Sequence, residues 1–158
     1  MSPQTNSLGI EDDPKAAGAH FTWRKLLASP GLPASLLCWA GSILLIVSAL
    51  IHYHLWASVG YRGIPTIGPL FLLQVIAGIA TAIAVAISRY FLVALAGALF
   101  AAGTIAGFVY SVQFGLFGFK DTYSATDGTA SLVVEAAAFV VLVAAALLGR
   151  RATTSRAH

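Results

Sequence analysis

This sequence predicts an all-α membrane protein, a bundle of four transmembrane helices with both termini cytoplasmic. Three observations carry that prediction. The chain is 58% hydrophobic and only 9% charged over 158 residues, whereas a soluble domain carries about 25% charged residues. It holds four apolar runs separated by short connectors, each run near the roughly 20 residues a helix needs to cross a bilayer. The Lys and Arg residues divide unevenly between the two sides that these runs define.

The first element is a polar tail over residues 1–33, broken by Pro3, Pro14, Pro30 and Pro33 and carrying Glu11, Asp12 and Asp13. Such a composition is expected to be partly disordered. Residues 19–29 differ, because Phe21, Trp23, Leu26 and Leu27 alternate with Arg24 and Lys25, the make-up of a short interfacial segment. No small-residue cleavage site follows a short apolar core, so a cleaved signal peptide is not expected.

The transmembrane domain follows over residues 34–148, with spans at about 34–55, 66–88, 90–114 and 130–148. Pro65 and Pro69 bracket the start of the second span, where a first turn tolerates proline. Only Ser88 and Arg89 part the second span from the third, which requires a tight turn. Asp127 and Thr129 offer caps for the fourth. Residues 149–158 form a short basic tail.

Lys15, Arg24, Lys25, Arg89, Arg150, Arg151 and Arg156 fall on one side of the bundle, and Arg62 and Lys120 on the other, seven against two. The positive-inside rule places the richer side in the cytoplasm, and a multi-pass protein of the inner cell membrane is expected. Trp56, Tyr61, Phe114, Phe117, Phe119 and Tyr123 then form an aromatic belt at the outer interface. The net charge of +3 flanks apolar runs, so membrane lipids are the expected partners, and Arg62 is expected to meet a headgroup or another anion. No basic stripe with interleaved aromatics suits nucleic acid. Cys38 is the only cysteine, which excludes an intrachain disulfide and a CxxC redox pair.

Glu135 is the residue that asks for an explanation. It is a lone carboxylate in the fourth span, and an ionisable group in hydrocarbon costs roughly 2.5–3.5 kcal/mol on insertion scales. At about 1.5 Å per residue, His52 lies about 5 Å in from the outer end, Glu135 and Tyr110 about 6–8 Å, and Gln74 about 10 Å. Helical spacing puts Gly41, Ser48 and His52 on one stripe, Gln74, Gly78 and Thr81 on a second, Gly103, Gly107 and Tyr110 on a third with Gln113 close by, and Ser131, Glu135 and Ala138 on a fourth. Small and polar residues on one stripe mark faces that meet. Glu135, His52, Gln74, Tyr110, Gln113 and Ser48 should therefore line a polar pocket in the outer half of the bilayer. The small residues at four-residue spacing are expected to serve packing within the bundle more than a dimer face.

His52 and His54 do not make a metal site on a helix, since residues two apart point about 200° apart. His54 should face lipid and snorkel. A bis-histidine haem needs ligands from facing helices, and these two histidines share one, so no cofactor is expected. No Gly-x-Ser-x-Gly elbow, P-loop or dinucleotide fingerprint is present.

The segment His52–Tyr53–His54–Leu55–Trp56, with Gly60–Tyr61–Arg62–Gly63–Ile64–Pro65–Thr66–Ile67–Gly68–Pro69–Leu70–Phe71, resembles small four-helix bacterial integral membrane proteins of unknown function. The resemblance covers about a fifth of the chain. It implies a four-helix membrane protein and no activity. The favoured expectation is a non-catalytic accessory or scaffold subunit of an inner-membrane complex, within a homo- or hetero-oligomer. The alternative is a small dimeric proton-coupled transporter using Glu135 and His52, followed by a membrane enzyme or a sensor of lipid or quinone.

Overall fold

Proline and glycine set the bounds of the first helix in the computed structural model, which describes residues 31–124 and 127–155. The interfacial segment expected at 19–29 lies outside the described residues. Helix α1 spans Leu32–His54, with Pro33 in its first turn, where the missing N–H costs no hydrogen bond. A π-helical turn, Leu55–Val59, carries it one turn further. It stops at Gly60, whose φ of 103° lies in the left-handed region that glycine adopts without strain. The first span thus runs past its expected end near residue 55, because nothing between Leu55 and Gly60 breaks a helix.

A tight turn at Tyr61–Gly63 leads to α2, Ile67–Ser88. Arg89 and Tyr90 alone separate α2 from α3, Phe91–Phe114, so the connection is as short as expected. The connector after α3 folds on itself, with Leu116 and Phe119 exchanging backbone hydrogen bonds of 2.6 and 2.9 Å. Helix α4, Gly128–Ser155, starts two residues early and runs on through Arg150 and Arg151 instead of ending near residue 148. All four helices are long and apolar enough to cross a membrane. Both connectors, 55–66 and 115–127, lie at one end of the bundle, and the α2–α3 turn lies at the other.

Helix α1 packs broadly on α2 and α4, and α4 on α3, whereas α2 and α3 touch little. Small residues make the close approaches possible. Leu142 is fully buried between Gly41 and Gly97, and a Cβ added at Gly97 would sit 3.0 Å from it. Around it lie Cys38, Leu45, Ala82, Val85, Ala98 and Ala138 in an apolar core toward the turn end. A second cluster, Leu55, Tyr61 and Ile67, forms beneath the connectors with Phe71, Leu116 and Phe119 packed on it. Tyr61 is buried there, so it leaves the aromatic belt expected from the sequence, and Phe119 is half-buried beside it. The first connector is also pinned at its far end. Gly68 and Ile64 bond at 2.9 Å, and a side chain at Gly68 would run into the carbonyl of Arg62.

Candidate functional site

The Glu135 carboxylate sits in the seam between α1 and α4. Ser131 lies one turn earlier on α4, and Ser48 faces it from α1. Both hydroxyls donate to Glu135 Oε1, at 3.1 and 3.0 Å. The three residues are buried, Glu135 to within 3% of full enclosure. Four-residue spacing places Ser48 one turn from His52 on α1 and Ser131 one turn from Glu135 on α4, so two polar stripes meet face to face. A carboxylate removed from water needs such donors.

His52 completes the group. Its Nδ1 lies 2.9 Å from the carbonyl of Ser48, which can only accept, so Nδ1 carries the hydrogen. That turns Nε2 toward Glu135 Oε1 at 3.7 Å, an ion-pair distance when the ring is protonated and too long for a direct hydrogen bond. The ring also stands against Phe71 with centroids 5.4 Å apart.

Beyond His52 the bundle opens. A cleft of about 430 Å³ runs between α2 and α3, lined at the connector end by His52, Gln74, Ser111 and Asp121 and further along by Leu73, Phe100 and Gly103. Asp121 is buried, accepts the Thr122 N–H at 2.8 Å, and takes the Tyr61 hydroxyl at 3.3–3.4 Å. Burial, then the charge of Asp121 and the hydrogen bond to it, push the Tyr61 phenol up to about 12.

Ser48, His52 and Glu135 therefore come together, with Gln74 across the adjoining cleft. Tyr110 and Gln113 do not. Tyr110 is half-exposed and stacks on Phe114 at 5.2 Å, and Gln113 is exposed. Ser111 takes the inward place expected of Tyr110, so the true stripe on α3 is Gly103, Gly107 and Ser111 at four-residue steps. A small hydroxyl fits that wall, while the bulky phenol is accommodated at the exposed surface. Arg62 is exposed on the first connector and does not line the cleft. His54 does not stand alone: its Nε2 lies 3.7 Å from Asp127 Oδ2, which draws the expected cap residue toward α1. Thr129 donates to the Tyr123 carbonyl at 3.1 Å, closing the second connector.

The two histidines thus turn to different carboxylates, and among the described residues no three His, Cys, Asp or Glu side chains gather as a metal site. Asp121, Tyr61 and Ser111 are the polar residues that sequence reasoning missed. The first two lie in connectors, where no periodicity marks a face, and the third was one position from the residue chosen. Compared with protein families, with curated proteins and with solved structures, the chain matches none.

Proposed function

We propose that the protein is a multi-pass inner-membrane protein that serves as a non-catalytic accessory or scaffold subunit of a larger complex, with both termini cytoplasmic. The way Glu135 is used carries this reading. Its Oε1 takes two serine hydroxyls and faces His52 within the α1–α4 seam, so the carboxylate ties two helices together. Toward the turn end the seam continues into Leu45, Ala138 and Leu142, with no charged side chain among them. The buried Ser42 hydroxyl there is turned back on the Cys38 carbonyl of its own helix at 2.8 Å. A proton reaching Glu135 from the connector end finds no onward partner among the described residues on that side.

The alternative is the dimeric proton-coupled transporter that uses Glu135 and His52. His52 stands between Glu135 and the cleft, which supports a route in. The apolar core around Leu142 weighs against a route out. Purification of the full chain in mild detergent separates the two. A stoichiometric partner chain is the expected result. A homodimer alone, with pH-gradient-driven uptake in proteoliposomes that Glu135→Gln abolishes, would replace the subunit reading with the transporter.

A further inference from the structure

We infer that the cleft between α2 and α3 binds a neutral, single-tailed lipophile whose head carries carbonyl or hydroxyl groups, admitted sideways from the hydrocarbon. This goes beyond the subunit reading and does not depend on which chain, if any, accompanies the protein.

The space is built by the departure of α2 from α3. The two helices meet near their turn, where Gly97 approaches Val85 and Gly78 approaches Phe100. They part beyond it. Gly103 and Gly107 lie on the wall of the opening, and a Cβ added at either would meet no atom within 4 Å. At the rim, Leu73 and Leu99 are 59% and 62% exposed, so the mouth opens to the side of the bundle among apolar groups. An occupant that enters there comes from the bilayer.

The size suits a small amphiphile. The lining runs from Ile67 to Ala77 on α2 and from Leu99 to Ser111 on α3, or about 15–18 Å at 1.5 Å per residue. The volume is within the range of about 300–1,000 Å³ typical of small-molecule sites.

The chemistry selects the head. The polar groups gather at the connector end, and the rest of the lining is apolar apart from Thr104, whose hydroxyl is turned to its own helix at Ala101. Among the described residues no Lys or Arg lines the cleft, and the buried carboxylate of Asp121 does, which disfavours an anionic head. Gln74 makes no side-chain hydrogen bond among the described residues, leaving an amide donor and acceptor for a carbonyl or hydroxyl. Isoprenoid quinones and monoacylglycerols both supply that chemistry.

The test uses the full chain in mild detergent and three single-tailed probes: decylubiquinone, monoolein and the anionic decyl phosphate. At least one neutral probe should bind saturably, one per chain, and at least tenfold more tightly than decyl phosphate. The tighter of the two neutral probes identifies the source of the head. Gly103→Leu should weaken that binding at least tenfold while helix content and thermal midpoint hold. On the unsubstituted chain, an analogue of the tighter neutral probe with a diazirine in its tail should crosslink to the peptides containing Leu73–Ala77 or Leu99–Gly107. No saturable binding of either neutral probe, equal binding of decyl phosphate, a folded Gly103→Leu variant with unchanged affinity, or crosslinks spread evenly over all four helices would each overturn the assignment.

Discussion

Ser48 donates its hydroxyl to Glu135 Oε1 at 3.0 Å across 87 residues of sequence, and this bond joins the first helix to the last. Hydrogen bonds between helices in a membrane average about 0.6 kcal/mol in double-mutant cycles and reach about 1.7. A cycle of Ser48→Ala with Glu135→Ala, read by unfolding in mixed detergent, should give a coupling within that range. Glu135→Gln alone should stay within about 1 kcal/mol, since the amide oxygen still accepts from Ser48 and Ser131. His52→Gln should couple to Glu135 more weakly, because the 3.7 Å separation is too long for a hydrogen bond. Strict additivity of Ser48 and Glu135 would mean that the seam is not held this way.

Two glycines on diagonally placed helices should respond in opposite ways. A methyl at Gly41 runs into Leu142, which is fully enclosed and has nowhere to move. Gly41→Ala should therefore destabilise by about 1–3 kcal/mol, the usual cost of overpacking. Leu142→Val in the same chain should restore part of the loss. A methyl at Gly103 meets nothing within 4 Å. There Gly103→Ala should be neutral or stabilising by up to about 1 kcal/mol through helix propensity. Equal losses at the two positions would contradict the asymmetry between the filled α1–α4 side and the open α2–α3 side.

The Tyr61 phenol should leave its mark on alkaline stability. Its value of about 12 in the folded chain stands above the ordinary value of about 10. A group raised on folding contributes stability that is whole below its unfolded value and is lost as pH rises through its folded one. Thermal unfolding should be insensitive to this group up to about pH 10, then weaken between about pH 10 and 12. Tyr61→Phe should lack that component and cost about 1 kcal/mol or less at neutral pH, since the bonds to Asp121 are long at 3.3–3.4 Å. Identical alkaline losses in both proteins would show that Tyr61 is not held buried beside Asp121 in this way.

The four helices and the meeting of Ser48, His52 and Glu135 were legible because both rest on signals that the sequence repeats. Long uncharged runs mark the helices, and four-residue spacing of rare polar residues marks two facing stripes. Helix α3 offered no such mark. It is apolar around nearly its whole circumference, so Tyr110 and Ser111 were equal candidates for the inward face until packing chose the smaller. The contact of Tyr61 with Asp121 joins two connectors 60 residues apart, where spacing carries no information. The cleft was illegible for a different reason. A two-residue turn implies neighbouring helices, and it says nothing about whether they diverge beyond it.

Orientation is the last prediction, and it rests on charge alone. The end of the bundle that holds both connectors carries Arg62 and Lys120, while the α2–α3 turn and the termini carry the other seven basic residues. A bias of that size in short loops sets the direction of insertion. Single cysteines at Ser58 and Ser124, both exposed on the connectors, should react with an impermeant maleimide on intact cells. One at Ser155, beyond the other end, should react only after the membrane is opened. The native Cys38 is buried in the core and is removed as Cys38→Ala to clear the background. Labelling of Ser155→Cys in intact cells, with Ser58→Cys and Ser124→Cys protected, would invert the topology and place the cleft, Asp121 and the Glu135 seam toward the cytoplasm.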